Sequence, residues 1–339
     1  MNIGNGNRGN GNSGNVNSDN RREVFAKAFC WVFFFVLMGH ITVKAAAASA
    51  PITITETSLP RSADVAAMPV RIAAPRTGRA LPVILFSHGA YSSKDDYSVL
   101  LDHWAAHGYV VIAVTHRDST RLGTTRGGND PRFMTWRLDD MKQVLDSLPQ
   151  LLSALPGLAE RTDSSKIAAT GHSFGGLIAQ TLAGATLRDP ATGTAVSRRQ
   201  PTIRAAIIFS GAGAMPPVLG AEDFAALAVP TLVTVGTEDL KQAPNLSGYE
   251  WRRQPYDLIP AGQKYLLTLE GADHYLGGSV GRDDLARSAQ ADDFVAAFQA
   301  ASTLFLDAWL KDDKAAKSRL SGLPSTAAPF AAHATLQQR

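Results

Sequence analysis

From residue 51 onward, short apolar runs alternate with longer stretches in which apolar residues recur every three or four positions. Ile52–Thr57 alternates apolar and polar side chains, the pattern of a half-buried strand, and Met68–Ala73 reads the same way. Pro82–Phe86 and Tyr109–Val114 are continuously apolar, as strands covered on both faces are. Lys166–Thr170, Ile203–Phe209, Thr231–Val235 and Tyr265–Leu269 complete the set of strands. Between them, Asp95–His107 reads as a helix. Leu138, Met141, Leu145, Leu148, Leu152 and Leu155 mark one helical face that stops at Pro156-Gly157. Leu177–Leu187 is a further helix, and Phe294, Phe298, Phe305 and Trp309 share a face of a long C-terminal one. Residues 115–134, 188–200 and 236–263 read as irregular, the last as a partial cover for what lies nearby. Strands alternating with helices predict an α/β fold: a mostly parallel central sheet of about eight strands with helices on both faces.

The first 50 residues break this pattern. Residues 1–20 are nearly all Asn, Gly and Ser and cannot bury a core. Arg21, Arg22 and Lys27 then precede an apolar run, Ala28–Val43, and small residues, Ala45–Ala50. That is the order of a secretory signal, and the run is shorter than the roughly 20 residues of a membrane-spanning helix. Arg21-Arg22-Glu23-Val24-Phe25 has the form of a twin-arginine signal. The expectation is export to a periplasmic or extracellular space, with membrane contact only through this signal. Cleavage near Ala45–Ala50 removes Cys30, the single cysteine, and with it any disulfide or thiol chemistry. The chain carries a formal charge of +3, but residues 1–50 hold five basic and two acidic side chains. The 33 bases and 30 acids of the chain thus leave 28 of each beyond residue 50. A neutral body gives no basic field for nucleic acid.

The densest chemistry lies at Gly171-His172-Ser173-Phe174-Gly175-Gly176. This is G-x-S-x-G, directly after a predicted strand and directly before a predicted helix. In that context the chain must reverse within about two residues, which strains the backbone at Ser173 and lifts its hydroxyl above the sheet edge. A helix N-terminus then points its free N–H groups at the same place.

These residues, together with Phe86-Ser-His-Gly-Ala-Tyr91 and His107-Gly-Tyr-Val-Val-Ile-Ala-Val114, resemble the α/β-hydrolase family. The likeness is to its dienelactone-hydrolase-like, chlorophyllase-like and platelet-activating-factor-acetylhydrolase-like secreted serine esterases, with cutinase-like enzymes nearby. The resemblance covers roughly residues 52–312. It implies an α/β-hydrolase domain over 51–312, between the leader and signal of 1–50 and an Ala-, Ser- and Pro-rich stretch, 313–339, that reads as a loose tail. The family order of nucleophile, acid, base implies Ser173, Asp239 and His274 as a catalytic triad. Asp239 follows the strand Thr231–Val235 in Gly236-Thr-Glu-Asp, and His274 follows the last strand in Glu270-Gly-Ala-Asp-His. Asp273 is the alternative acid. The resemblance also implies an oxyanion hole from the backbone N–H groups of Phe174 and Ala90, with Tyr91 as the neighbouring donor or a lining residue. Tyr91, Trp136 and Tyr275, and beside them Trp251, are expected to line the substrate cleft.

The implied activity is hydrolysis of a small-molecule or polymeric carboxylic ester through an acyl-enzyme, with neither cofactor nor metal. The alternatives are a phospholipid acyl chain or an amide on the same triad, and a non-catalytic binding module on the same fold. His88 reads as a loop histidine bonded within its own loop. Arg117, Arg121, Arg126 and Arg132 read as a solvated loop, with contact to an anionic substrate as the alternative. Arg137 and Asp140, three apart on a helix, read as a structural pair. Asp283-Asp284 and Asp292-Asp293 lack the spacing of a calcium loop and read as solvated acids. Acyl length, alcohol and oligomeric state are not legible at this level.

Overall fold

Strands buried on both faces need a layer of helices on each side, and the apolar runs sort accordingly. In a computed structural model describing residues 50–61, 65–128, 130–189, 192–240 and 245–339, neighbouring side chains of one strand serve opposite cores. Val83 and Leu85 pack in one cluster, Ile84 and Phe86 in the other. The strands are β1 (Ile52–Leu59), β2 (Met68–Pro75), β3 (Leu81–Ser87), β4 (Val110–Val114), β5 (Thr162–His172), β6 (Leu187–Arg188), β7 (Ala195–Val196), β8 (Ile203–Phe209), β9 (Thr231–Glu238), β10 (Lys264–Asp273), β11 (Ala328–Ala331) and β12 (Ala334–Gln338). The helices are α1 (Ser98–Ala106), α2 (Phe133–Asp146), α3 (Leu148–Ser153), α4 (Phe174–Ala183), α5 (Gly248–Leu258), α6 (Ala291–Leu310) and α7 (Lys314–Ser321). Helices α1, α6 and α7 cover one face of the sheet; α2 to α5 cover the other.

The main sheet runs β1-β2-β4-β3-β5-β8-β9-β10-β12-β11. The six strands from β4 to β10 are parallel, and antiparallel pairs close both edges. β6 and β7 form a separate ribbon. The C-terminal ends of β3, β5, β8, β9 and β10 therefore lie along one rim, where ligands of such sheets bind.

Five expectations are corrected. The sheet has ten strands, not about eight: the eight read from the sequence are all in it, and β12 and β11 add to the edge of β10. Those two strands and α7 occupy residues expected as a loose tail, and Leu336 and Leu320 are buried. The helix expected through Leu155 breaks at Ser147, because Pro149 cannot continue the backbone ladder. α4 ends at Ala183, four residues before the expected end, where Gly184 has a φ of 136° that suits glycine. Residues 236–263, read as irregular, contain α5 with a Ser247–Glu250 capping box. The leader and export signal expected over residues 1–50 lie, but for Ala50, outside the described residues. Among the described residues, no helix is long and apolar enough to cross a membrane.

If the C-terminal hairpin is part of the core, Leu336→Ala destabilises the protein by about 2–4 kcal/mol through the cavity it leaves. Urea unfolding measures this; a midpoint unchanged from the parent would mean the hairpin is dispensable.

Candidate active site

Only Ser173 separates β5 from α4. The turn is possible because the backbones close on each other without side chains: a Cβ on Gly175 would overlap the Ser87 carbonyl, and one on Gly171 the Gly175 carbonyl. Ser173 is left at φ 56°, ψ −115°, a strained conformation for a residue with a side chain. Its N–H donates to the Phe209 carbonyl at 2.9 Å, which ties the turn to β8. The side chain opens into a cavity of about 350 Å³, which His274 also lines.

The His274 ring is nearly buried at the end of β10, with its Nδ1 2.6 Å from Asp239 Oδ1 at the end of β9. An ionised carboxylate only accepts, so Nδ1 carries the proton and Nε2 keeps its lone pair. Burial opposes ionisation of Asp239. The hydrogen bond and charge of His274, the Arg252 guanidinium at 3.5 Å and the Ser210 hydroxyl at 2.6 Å override it, and hold the carboxyl below its ordinary range. Leu240 N–H adds a further bond to Oδ1 at 2.7 Å. For His274, burial outweighs the raising effect of Asp239, so its pKa lies below the ordinary histidine value. Arg252 is pushed down to about 10 by burial, which leaves it a cation at neutral pH, and it donates to the Ser210 carbonyl at 2.6 Å.

The loop after β3 is held from behind. The guanidinium of Arg137 is buried against Asp118 at 2.7 Å and donates to the carbonyls of His88 and Gly89. His88 accepts the His116 N–H on Nε2, so its Nδ1–H donates to the Gly89 carbonyl at 2.6 Å. Each peptide whose carbonyl points back must turn its N–H the other way. The Gly89 N–H reaches the Tyr97 hydroxyl at 3.0 Å, and the Ala90 N–H has no partner among the described residues. The Tyr91 N–H is directed to Asp118 at 3.3 Å. The Phe174 N–H is the first of α4, and its ring lies under Arg137 at 4.5 Å.

A second chain of bonds crosses below Ser173. His172 Nε2–H donates to the His274 carbonyl at 2.8 Å, which fixes Nδ1 as the acceptor for the Tyr97 hydroxyl, also at 2.8 Å. Burial holds the His172 ring neutral.

The structure thus brings Ser173, His274, Ala90, Tyr91 and Tyr275 to one cavity, with Asp239 directly behind His274. It does not bring Trp136 there: that ring lies between the guanidiniums of Arg117 and Arg132, at 4.8 and 4.5 Å. Trp251 is also elsewhere, buried with its Nε1–H on the Ala214 carbonyl. Asp273 accepts the N–H groups of Tyr275 and Gly277 and so caps the turn rather than facing the imidazole. The expected Arg137–Asp140 pair does not form. Arg137 turns inward to Asp118, and Asp140 takes Arg61 and His116 at 2.7 and 2.9 Å. That last contact continues from His116 Nε2 to the Ser87 hydroxyl at 2.9 Å, a second Ser-His-Asp chain. All three of its members are buried, and none lines the cavity beside Ser173. Ser210, Arg252, Tyr97 and Arg137 were not legible as site residues, because their roles arise from contacts between elements distant in sequence.

A family model described as chlorophyllase matches residues 39–225, more than half of the chain. A platelet-activating factor acetylhydrolase of Cavia porcellus is 29% identical over 150 residues, covering 32% of this chain and 33% of the relative. Chlorophyllase-1, chloroplastic, of Citrus unshiu is 35% identical over 147 residues, 41% of each chain. A putative phospholipase A2 of Schizosaccharomyces pombe is 43% identical over 51 residues, 15% of this chain and 11% of that one. The chain spans about a third to two fifths of the length of the first two relatives. The matched segment holds the strained serine turn and the braced loop opposite it, and on the extent of that match the chain belongs to the chlorophyllase family.

Proposed function

We propose that this protein hydrolyses carboxylic esters, with Ser173 as nucleophile, His274 as general base and Asp239 as the acid that orients it. The observation carrying the reading is that a serine on a strained turn and a histidine whose other nitrogen is bonded to a buried carboxylate open into the same cavity. His274 Nε2 takes the Ser173 proton as the hydroxyl attacks the ester carbonyl. The negative charge on the former carbonyl oxygen is met by the N–H groups of Ala90 and Phe174. Of the two candidates in the loop after β3, Ala90 is favoured, since the Tyr91 N–H is spent on Asp118. His274 then returns the proton to the leaving alkoxide, and water releases the acid by the same route. A purely binding role would leave the backbone strain at Ser173 without a use.

Ser173→Ala is expected to lower kcat/KM toward p-nitrophenyl butyrate by about 10³-fold or more, and Asp239→Asn by about 10³–10⁴-fold, with unchanged circular dichroism. Turnover by the folded Ser173→Ala protein at the parent rate would remove the hydrolase reading.

The pH dependence has a fixed sign. The base must be neutral, and the His274 pKa is lowered, first by burial. kcat/KM should therefore be at its plateau by about pH 7 and fall only as the pH drops below the ordinary histidine value of about 6.5. Asp239→Asn removes a contribution that raises this pKa, so its residual activity should lose its acid limb at still lower pH. A limb centred above pH 7 in the parent enzyme would contradict the assignment of His274.

The order of basic, apolar and small residues over 21–50 supports export through a cleaved signal. N-terminal sequencing of the mature protein should begin within residues 46–51, and an intact Met1 would overturn this.

A further inference from the structure

We infer that the site is built for an ester with two unlike arms: an apolar acyl group, and an alcohol bearing a compact oxyanion such as a carboxylate or phosphate. This rests on the hydrolase reading and deepens it. Two cavities share Ala90 and Tyr91 in their walls. The first, about 350 Å³, is lined by Ser173 and His274 and by the arginines Arg126, Arg252 and Arg282. The second, about 380 Å³, is lined by Phe133, Met134, Phe174, Leu177, Met215 and Val218.

The base decides which arm goes where. The leaving alkoxide must receive its proton from His274, which lines the first cavity and not the second. The alcohol arm therefore lies among the arginines. The acyl arm, on the far side of the carbonyl, enters the apolar cavity walled by the residue after the nucleophile.

The charge that lines the first cavity is of one sign. Among the described residues, no carboxylate lines it. Arg252 is occupied by Asp239 and the Ser210 carbonyl. Arg282 holds both oxygens of Asp284 through its Nε and one terminal nitrogen, and Arg126 reaches the same carboxylate only at 4.0 Å. Asp283 is taken by Arg121 at 2.6 Å. Arg121 also reaches Asp96 at 3.5 Å, so the acids of the rim stand behind the cavity wall, while Arg126 and Arg282 share Asp284 and themselves line the cavity; the charge that faces the alcohol arm is positive. In the second cavity the acids, Asp118 and Asp130, are each held by an arginine, Arg137 and Arg132. An anion there would find no free partner and would displace apolar contact.

The full chain is assayed with 3-butyryloxybenzoate and 3-butyryloxyphenyl phosphate against the neutral 3-butyryloxybenzamide. In low salt, kcat/KM for each anionic ester should exceed that for the amide by about two- to fivefold, the range for partly exposed ion pairs. The ratio should approach unity in about 0.5 M NaCl, where rim charges are screened, and in the double variant Arg126→Gln/Arg282→Gln. Equal values in low salt overturn the inference, as does a preference that survives both salt and the double variant. Moving the charge to the acyl arm, as in p-nitrophenyl hemisuccinate, should make a poorer substrate than p-nitrophenyl butyrate; the reverse order would overturn the assignment of the arms. The salt arm needs no variant. Absence of turnover on every ester, the neutral ones included, would instead be a failure of the hydrolase reading itself.

Discussion

A chain that leaves the middle of a buried sheet and starts a helix one residue later has little room to do so. The constraint is close approach of backbones: the start of α4 touches the end of β3, and only glycine at 175 and 171 allows it. The rest of the site follows from that contact. Because the Gly175 backbone rests against Ser87, the loop after β3 begins beside Ser173. Because the Ser173 N–H is bonded to Phe209, the end of β8 is fixed beside it too, and Ser210 donates to Asp239 from the end of β9. Parallel strands place all these ends on one rim, so five distant segments converge without a long insertion.

Convergence at that rim buries charge, which is expensive unless each charge is paired and bonded. The second Ser-His-Asp chain shows how this is met. Ser87, His116 and Asp140, with Arg61, form a closed set in which each donor has an acceptor. Its members could have been mistaken for a reaction centre by distance alone. What separates it from Ser173, His274 and Asp239 is access: one chain ends in a buried hydroxyl, the other in a hydroxyl facing a cavity. Nearby, Arg137 serves two ends at once. It neutralises Asp118, whose carboxyl it holds well below the ordinary range against the effect of burial, and it turns two peptide planes so that their N–H groups face forward.

How much of this was legible in the sequence depended on range. The eight strands read in advance are continuous apolar runs or clean alternations, so burial alone marks them. β11 and β12 are not marked that way. Ala328–Ala331 contains Pro329, tolerable only at an edge, and its partner carries Gln337 and Gln338 on a half-covered margin. α5 was hidden by Pro255 and by its charged residues, although Ser247 and Glu250 spell its cap. Ser173, Asp239 and His274 could be named because each follows a strand end in a motif with a fixed order. Arg137 could not be placed correctly. Helical spacing suggested Asp140 as its partner, but the two side chains leave α2 toward different buried acceptors, and a local rule cannot anticipate a contact 19 or 49 residues away.

The buried charges of the site also explain why His274, the proposed base, can be neutral at rest and charged in passing. Arg252, Asp239 and a neutral His274 sum to zero, and the cation stays a cation because even burial brings it only to about 10. In the proposed reaction, proton transfer adds one positive charge at His274 and one negative charge at the substrate oxygen in the same step. The first is stabilised by Asp239 at 2.6 Å, the second by backbone dipoles already turned toward it by Arg137. The pair is created without net charge entering the interior, and without any large side chain having to move. Arg252 matters in both states: it keeps Asp239 ionised before transfer, yet its own charge opposes the imidazolium after it. Burial first, with the charge of Arg252 added to it, sets the His274 pKa below the ordinary value against the effect of Asp239, so the group is poised to accept a proton it does not already hold.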